Sequence, residues 1–360
     1  FGVCLMKKIA LIISLLALAA CTPKTVEQTS TGVAVKPVKD QQPEIFSNVT
    51  YPESTTFLSR PDVQRYIDRK VATGKFSRAE MEAFFANVQN KPNIIGIMDK
   101  PGTSRPWYEF RKNNVAGSRI SGGVKYWNAN DYAATQASRM YGVPPEVLVA
   151  IVGIETNYGS NMGSFRTADA LVTLAFNYPR RAEFFRKELD EFMLMAHEER
   201  QDMFTFKGSY AGAMGMPQFM PSSYRKWAVD ANHDGHRNIW SDSNDVMASV
   251  ANYMKQHGWQ TGGKISVPVK FQMTEALQAK LDENTQLTHT VGDFKRLGVQ
   301  VSDASVADSE KAFLYRLETA PGQYDYYLGL SNFYAIWKYN NSRLYVSAVK
   351  EIAETVARSR

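Results

Sequence analysis

Between Pro144 and Gly159 lies the stretch that most narrows the folds open to this chain. Pro144 and Pro145 suit a first helical turn, Gly159 is a stop, and nearly everything between them is apolar. Leu148, Ile151, Val152, Glu155 and Tyr158 recur at spacings of three and four, which places them on one helix face. A carboxylate on that face must enter the interior with its neighbours or sit at its rim. Burial disfavours its charged form and the negative end of the helix dipole does the same, so both raise the pKa of Glu155. A general acid working near neutral pH needs that shift. The alternative is a helix-end glutamate whose carboxylate reaches water.

The chain has 360 residues, enough for two or three packed units around a sizeable core. From Tyr51 onward helical periodicity dominates, at 62–71, 78–88 behind a Ser77 cap, 128–141, 168–176, 181–199 and 246–257. Past Gly262 and Gly263 the period changes. Ile265, Val267, Val269 and Phe271 alternate as a half-buried strand does, with further strands expected at 287–291, 312–317 and 323–328 and a helix at 274–281. Helices return at 332–339 and 344–356. The fold class is therefore α+β and mainly α-helical. A helical body occupies 51–261, a small β-containing insertion 262–330, and C-terminal helices at 331–360 pack back on the body.

Lys7 and Lys8 precede an apolar run from Ile9 to Leu18, too short to span a bilayer but laid out as a secretory signal with Met6 as initiator. The run ends in Leu18, Ala19, Ala20 and Cys21, which resembles a bacterial lipoprotein box. Residues 1–20 then form the signal peptide, Cys21 is lipidated, and several acyl chains give a stable anchor. Residues 21–50, rich in Thr, Pro, Gln and Lys, read as a flexible tether. Cys4 and Cys21 are the only cysteines, so the mature chain has no thiol pair for a disulfide. The formal charge of +6 falls to +4 once Lys7 and Lys8 are removed. This mild excess is compatible with an anionic polymer without identifying one, and the lack of a basic run, together with the secretory signal, argues against a nucleic-acid partner.

Two further segments carry chemistry. Gly208 to Tyr224 is rich in small residues that permit close backbone approach, and Gln218 offers an amide amid apolar neighbours, as an acetylated sugar requires; a tight turn between helices is the alternative. Asp230, Asn232, Asp234, Gly235 and His236 match the opening of an EF-hand calcium loop, with side-chain oxygens at positions one, three and five, glycine at six and a backbone carbonyl at seven. Position twelve is Ser241 rather than glutamate, with Asp242 and Asp245 following. A metal-free Asx-rich turn is the alternative. His197 and His257 lack partners at ligand or triad spacing and no Gly-x-Ser-x-Gly elbow occurs, so zinc and serine-hydrolase chemistry find no support.

The segments Trp107-Tyr108, Tyr141 to Glu146, Gly153 to Thr156, Phe176 to Arg181, Ala211 to Gly215, Pro217 to Tyr224 and Tyr339-Asn340, in this order, resemble the membrane-bound lytic transglycosylase B family of murein transglycosylases. The resemblance implies a lysozyme-like core with Glu155 as sole catalytic carboxylate. It implies that Ser209, Gln218, Tyr339 and Asn340 contact sugar, and that the 230–245 loop is lengthened and closed by Asp245 around structural Ca2+. No organic cofactor is implied. Phe110 stands where the family often places tyrosine. Trp107, Tyr108, Tyr126 and Trp127 are candidates for sugar stacking or for core. The expected activity is cleavage of peptidoglycan glycan strands with formation of 1,6-anhydro-muramic acid ends. Thr22, rather than aspartate, after Cys21 points to an outer-membrane lipoprotein facing the periplasm of a Gram-negative bacterium, where other cell-wall enzymes are candidate partners. A lysozyme-type hydrolase and a catalytically silent peptidoglycan-binding scaffold are the rivals.

Overall fold

A computed structural model describes residues 51–52, 55–99 and 105–360. The signal peptide, Cys21 and the tether lie outside the described residues. The Pro145–Thr156 helix is the centre of the fold. Every residue from Val147 to Gly153 is buried, so this helix is enclosed on all sides rather than along one stripe. Helices Gly117–Ala129, Asp131–Tyr141, Ser243–Gln256 and Arg343–Ser359 pack around it. A second group, Pro61–Ala72, Arg78–Asn87, Thr167–Asn177 and Ala182–Glu198, continues the same hydrophobic core. Ser77 caps the Arg78–Asn87 helix in a reciprocal pair with Glu80, as its sequence position predicts.

The central helix stops earlier than its apolar pattern implies. Asn157 and Tyr158 both adopt left-handed backbone, so the chain turns after Thr156 instead of running to Gly159. This turn drives the Tyr158 ring back between helices, where its hydroxyl donates to the Arg119 carbonyl at 2.8 Å. Gly153 and Gly123 make room for it: a Cβ would lie 2.5 Å from the Tyr158 oxygen at the first and 2.7 Å at the second. Gly117, Gly122 and Gly123 also explain why Gly117–Ala129 shows no helical signal in the sequence, since glycine opposes helix formation by about 1 kcal/mol per residue and tertiary packing has to supply the difference. The expected 128–141 helix is really the end of this one and a second, interrupted at Asn130.

The β region is a five-stranded antiparallel sheet in the order His289–Thr290, Lys311–Ala320, Gln323–Gly329, Ser266–Lys270, Gln300–Val301. The expected 287–291 strand shrinks to two residues because the Thr290 capping box starts a helix, Val291–Arg296. Both faces of the longest strand are covered. Phe313, Tyr315 and Leu317 join the main core, whereas Ala312 and Leu314 join a smaller one with Leu277, Leu281, Val291 and Phe294. One buried amide closes the neck of this module. Asn332 accepts the Gln260 N–H at 2.7 Å and donates to the carbonyls of Gln260 and Gly263 at 2.9 and 2.8 Å. Removing a buried polar partner strands the groups it satisfied, at about 1–3 kcal/mol each. Asn332→Ala should therefore lower stability by at least about 2 kcal/mol, read as a reduced denaturant midpoint. An unchanged midpoint would show that water replaces the amide.

Candidate active site

Glu155 sits in the last turn of the central helix, partly open to solvent yet surrounded by protein. Tyr345, near the start of the Arg343–Ser359 helix, donates its hydroxyl to Glu155 Oε1 at 2.7 Å. Desolvation raises the Glu155 pKa from its ordinary 4.5 to about 7, opposed by the weaker effect of the tyrosine hydrogen bond. The two residues lie 190 positions apart. The sequence signal for Tyr345 was nonetheless present: with Val349, Ile352 and Val356 it forms the buried stripe of its helix, and a tyrosine there needs a partner for its hydroxyl. Burial and the Glu155 charge push Tyr345 and Tyr339 well above the ordinary tyrosine range. Both stay protonated, so Tyr345 is a donor and not a competing acid.

A tight loop is tied against the end of the same helix. The Thr156 hydroxyl lies 3.1 Å from the Met216 carbonyl and accepts the Gly159 N–H at 3.0 Å. Tyr339 donates its hydroxyl to the Pro217 carbonyl. Gln218 follows in left-handed backbone, φ 51°, with its amide nitrogen donating to the carbonyls of Met162 at 3.2 Å and Gly215 at 2.9 Å. Both amide hydrogens are thus used within the protein. The expected donor-and-acceptor amide offers an acceptor oxygen only. Ser209 accepts the N–H groups of Ala211 and Ala213, at 3.3 and 3.1 Å, and retains its own hydrogen to donate. Asn340 is exposed at the end of the Ser331–Tyr339 helix.

Other candidates separate cleanly. Trp107 and Trp127 are core residues, and Phe110 packs near Trp107 with ring centroids 6.3 Å apart. The Tyr126 hydroxyl rests 3.5 Å from the Met216 sulfur, and Tyr108 is half-buried. Asp169, the nearest acid downstream of Glu155, is fully buried and gripped by Arg166 at 2.8 and 2.9 Å and by the Gln89 N–H at 2.9 Å. It holds structure together and has no free oxygen to offer substrate.

In the 230–245 loop, Asp230 accepts the N–H groups of Asp234 and Gly235, and Asp234 accepts that of His236. Asp245 is buried and clamps the loop, each of its oxygens accepting a backbone N–H, from Ala231 and Asn238, at 2.7 Å. Among the described residues no three His, Cys, Asp or Glu side chains converge as a metal cluster. The Met216 N–H donates to the Ile239 carbonyl at 2.9 Å, so this loop buttresses the segment carrying Gln218.

A desolvated carboxyl under a neutral hydroxyl, at the end of a buried helix, has the chemistry that an acid–base group requires. The chain belongs to the transglycosylase SLT domain family, whose model matches residues 59–354. It is 38% identical over 314 residues to membrane-bound lytic murein transglycosylase B of Escherichia coli strain K12, covering 84% of this chain and 85% of the relative. The fold is similar to that of the catenated lytic transglycosylase SltB1 of Pseudomonas aeruginosa, with TM-score 0.80, 39% identity and coverage of 84% and 99% of the two chains. It is also similar to the E. coli lytic transglycosylase Slt35 in complex with calcium, with TM-score 0.75, 38% identity and coverage of 84% and 94%.

Because the Tyr345 hydrogen bond favours the carboxylate, Tyr345→Phe should move the Glu155 pKa above about 7. The alkaline limb of the pH–rate profile then shifts to higher pH. A limb that stays put, or moves to lower pH, would mean that Tyr345 does not act through Glu155.

Proposed function

We propose that this chain is a lytic murein transglycosylase in which Glu155 serves as acid and then as base on the bond between N-acetylmuramic acid and N-acetylglucosamine. The observation that carries the reading is the enclosed Glu155 carboxyl with a pKa of about 7, shifted by burial and by Tyr345 alone. Near neutral pH a substantial fraction is protonated. Glu155 gives its proton to the glycosidic oxygen as the bond to muramyl C1 breaks. The carboxylate then takes the proton of the muramyl C6 hydroxyl while that oxygen bonds to C1 and closes the 1,6-anhydro ring. The acid is regenerated and no water is consumed. Because the C6 hydroxyl is tethered to the reacting ring, its effective concentration exceeds that of water by orders of magnitude when the ring is held correctly.

A lysozyme-type hydrolase recruits a second carboxylate, and Asp169 is committed to Arg166. Charge developing at C1 is instead met by the substrate's acetamido oxygen. Gln218 supports this as an acceptor: its oxygen takes the acetamido N–H and leaves the acetyl oxygen to approach C1. Ser209, Tyr339 and Asn340 complete the sugar contacts. A silent scaffold has no use for a carboxyl kept protonatable at this cost.

Lipidation at Cys21 and the 21–50 tether would hold the enzyme at the outer membrane, facing peptidoglycan and neighbouring wall enzymes. Among the described residues no helix is long and apolar enough to cross a membrane. For calcium, the donor set fits a hard cation: the side chains of Asp230, Asn232 and Asp234, the His236 carbonyl, and Asp245 through a closed loop. Burial raises the pKa of Asp245, and the charges of Asp242 and Asp230 add to that, a repulsion that a cation relieves. Its role would be structural, through Ile239 and Met216.

Digestion of sacculi in oxygen-18 water tests the reading. Products should end in 1,6-anhydro-muramic acid without label; labelled reducing ends would establish a hydrolase. Glu155→Gln should abolish cleavage. It should also stabilise the fold, because a carboxyl whose folded pKa lies above its unfolded value loses stability as pH rises from about 4.5 to about 7. The gain is at most about 3 kcal/mol, present at pH 8 and absent at pH 4. Equal stability of the two proteins at pH 8 would contradict the shifted pKa. Calcium should raise the thermal midpoint and Asp234→Ala should remove the rise. Identical melting with calcium and with chelator would exclude the site.

A further inference from the structure

A shallow hollow of about 550 Å³ lies between the β module and the helix that carries Tyr339. Its walls are Glu283 to Gln286 on one side and Tyr334, Trp337, Lys338, Asn341 and Arg343 on the other. Tyr334 and Trp337 are half-buried and nearly parallel, 11° between planes with centroids 5.4 Å apart, and Lys338 Nζ lies 4.7 and 5.5 Å from the two centroids. Arg343 is fixed in place by donating to Thr285 Oγ1 and to the Glu283 carbonyl, each at 2.8 Å. The charge balance is one-sided. The only acid in the lining, Glu283, is already paired with Lys280 at 2.6 Å and His289 at 2.8 Å. Among the described residues neither Lys338 nor Arg343 forms an ion pair.

Flat aromatic surface beside two uncompensated cations is suited to a ring that carries a carboxylate. Resting on the murein reading above, we propose that this hollow is a second binding site, outside the reacting centre, for a muramyl-peptide unit of peptidoglycan, the sugar lying on Tyr334 and Trp337 and a carboxylate reaching Lys338 and Arg343. Two shared elements connect it to the active site. Trp337 and Tyr339 lie two residues apart, on opposite sides of one helix, and Arg343 and Tyr345 are related in the same way in the next. The two sites are therefore separated by roughly a helix diameter, about 10 Å. A glycan strand engaging both is held at two points.

The test uses the Glu155→Gln protein, in which substrate is not consumed. Muramyl tetrapeptide and peptide-free N-acetylglucosamine oligomers are titrated separately and followed by the Trp337 indole N–H resonance. Muramyl tetrapeptide should shift the Trp337 signal, and Lys338→Glu, an exposed change, should weaken that binding about fivefold to tenfold with an unaltered thermal midpoint. In the active enzyme, Lys338→Glu should raise the apparent KM on sacculi and leave kcat in place. No shift at Trp337, equal response to the peptide-free sugar, or an unaltered KM each overturns the proposal. If wild-type enzyme still releases anhydro products, that failure belongs to the second site alone. If it releases none, the murein reading itself has failed.

Discussion

Everything in this molecule turns on holding one carboxyl group away from water without a charge to pair it. Glu155 is kept where its ionised form is disfavoured, and among the described residues the one group offsetting that cost is the neutral Tyr345 hydroxyl at 2.7 Å. A buried arginine in the same place would have pulled the pKa down and removed the acid. The helix behind it is enclosed from Val147 to Gly153, so the backbone that carries the carboxyl is fixed in the core. The fold bears an unfavourable local term at its functional site and compensates through the apolar burial around it.

The surrounding elements serve that placement. Tyr158, turned back by two left-handed residues, wedges between helices against Gly123 and Gly153 and fixes the end of the central helix. Thr156 and Tyr339 then bind the Met216–Gln218 loop to that end, and the Asp245-clamped loop supports it from behind through Ile239. The Gln218 side chain is held so that it can only accept, which suits it to an N–H rather than to a general amide contact.

Much of this was legible in the sequence where the signal is local. The proline start of the central helix, the Ser77–Glu80 cap and the change of period after Gly263 are nearest-neighbour patterns, and the structure contains them. The failures share one cause, tertiary contact overriding local preference. Gly117–Ala129 is helical despite its glycines because it packs on the central and C-terminal helices, with Gly122 and Gly123 leaving room for Tyr158, and Thr290 converts the end of an apparent strand into a helix cap. Glu155 stood out because a carboxylate on an apolar face is anomalous in its own segment. Tyr345 did not, because a tyrosine on an apolar stripe is ordinary until its partner is known. Asp169 showed the converse: its place in a first turn was readable, but its grip on Arg166 and on the Gln89 N–H was not.

The central claim is that Glu155 itself titrates near neutrality. Carbon-13 NMR of the glutamate side-chain carboxyls, with the Glu155→Gln spectrum identifying the missing resonance, measures this directly. The account predicts a midpoint of about 7 for that resonance. A midpoint near the ordinary 4.5 would show a carboxylate ionised throughout the working range and would contradict its role as the acid.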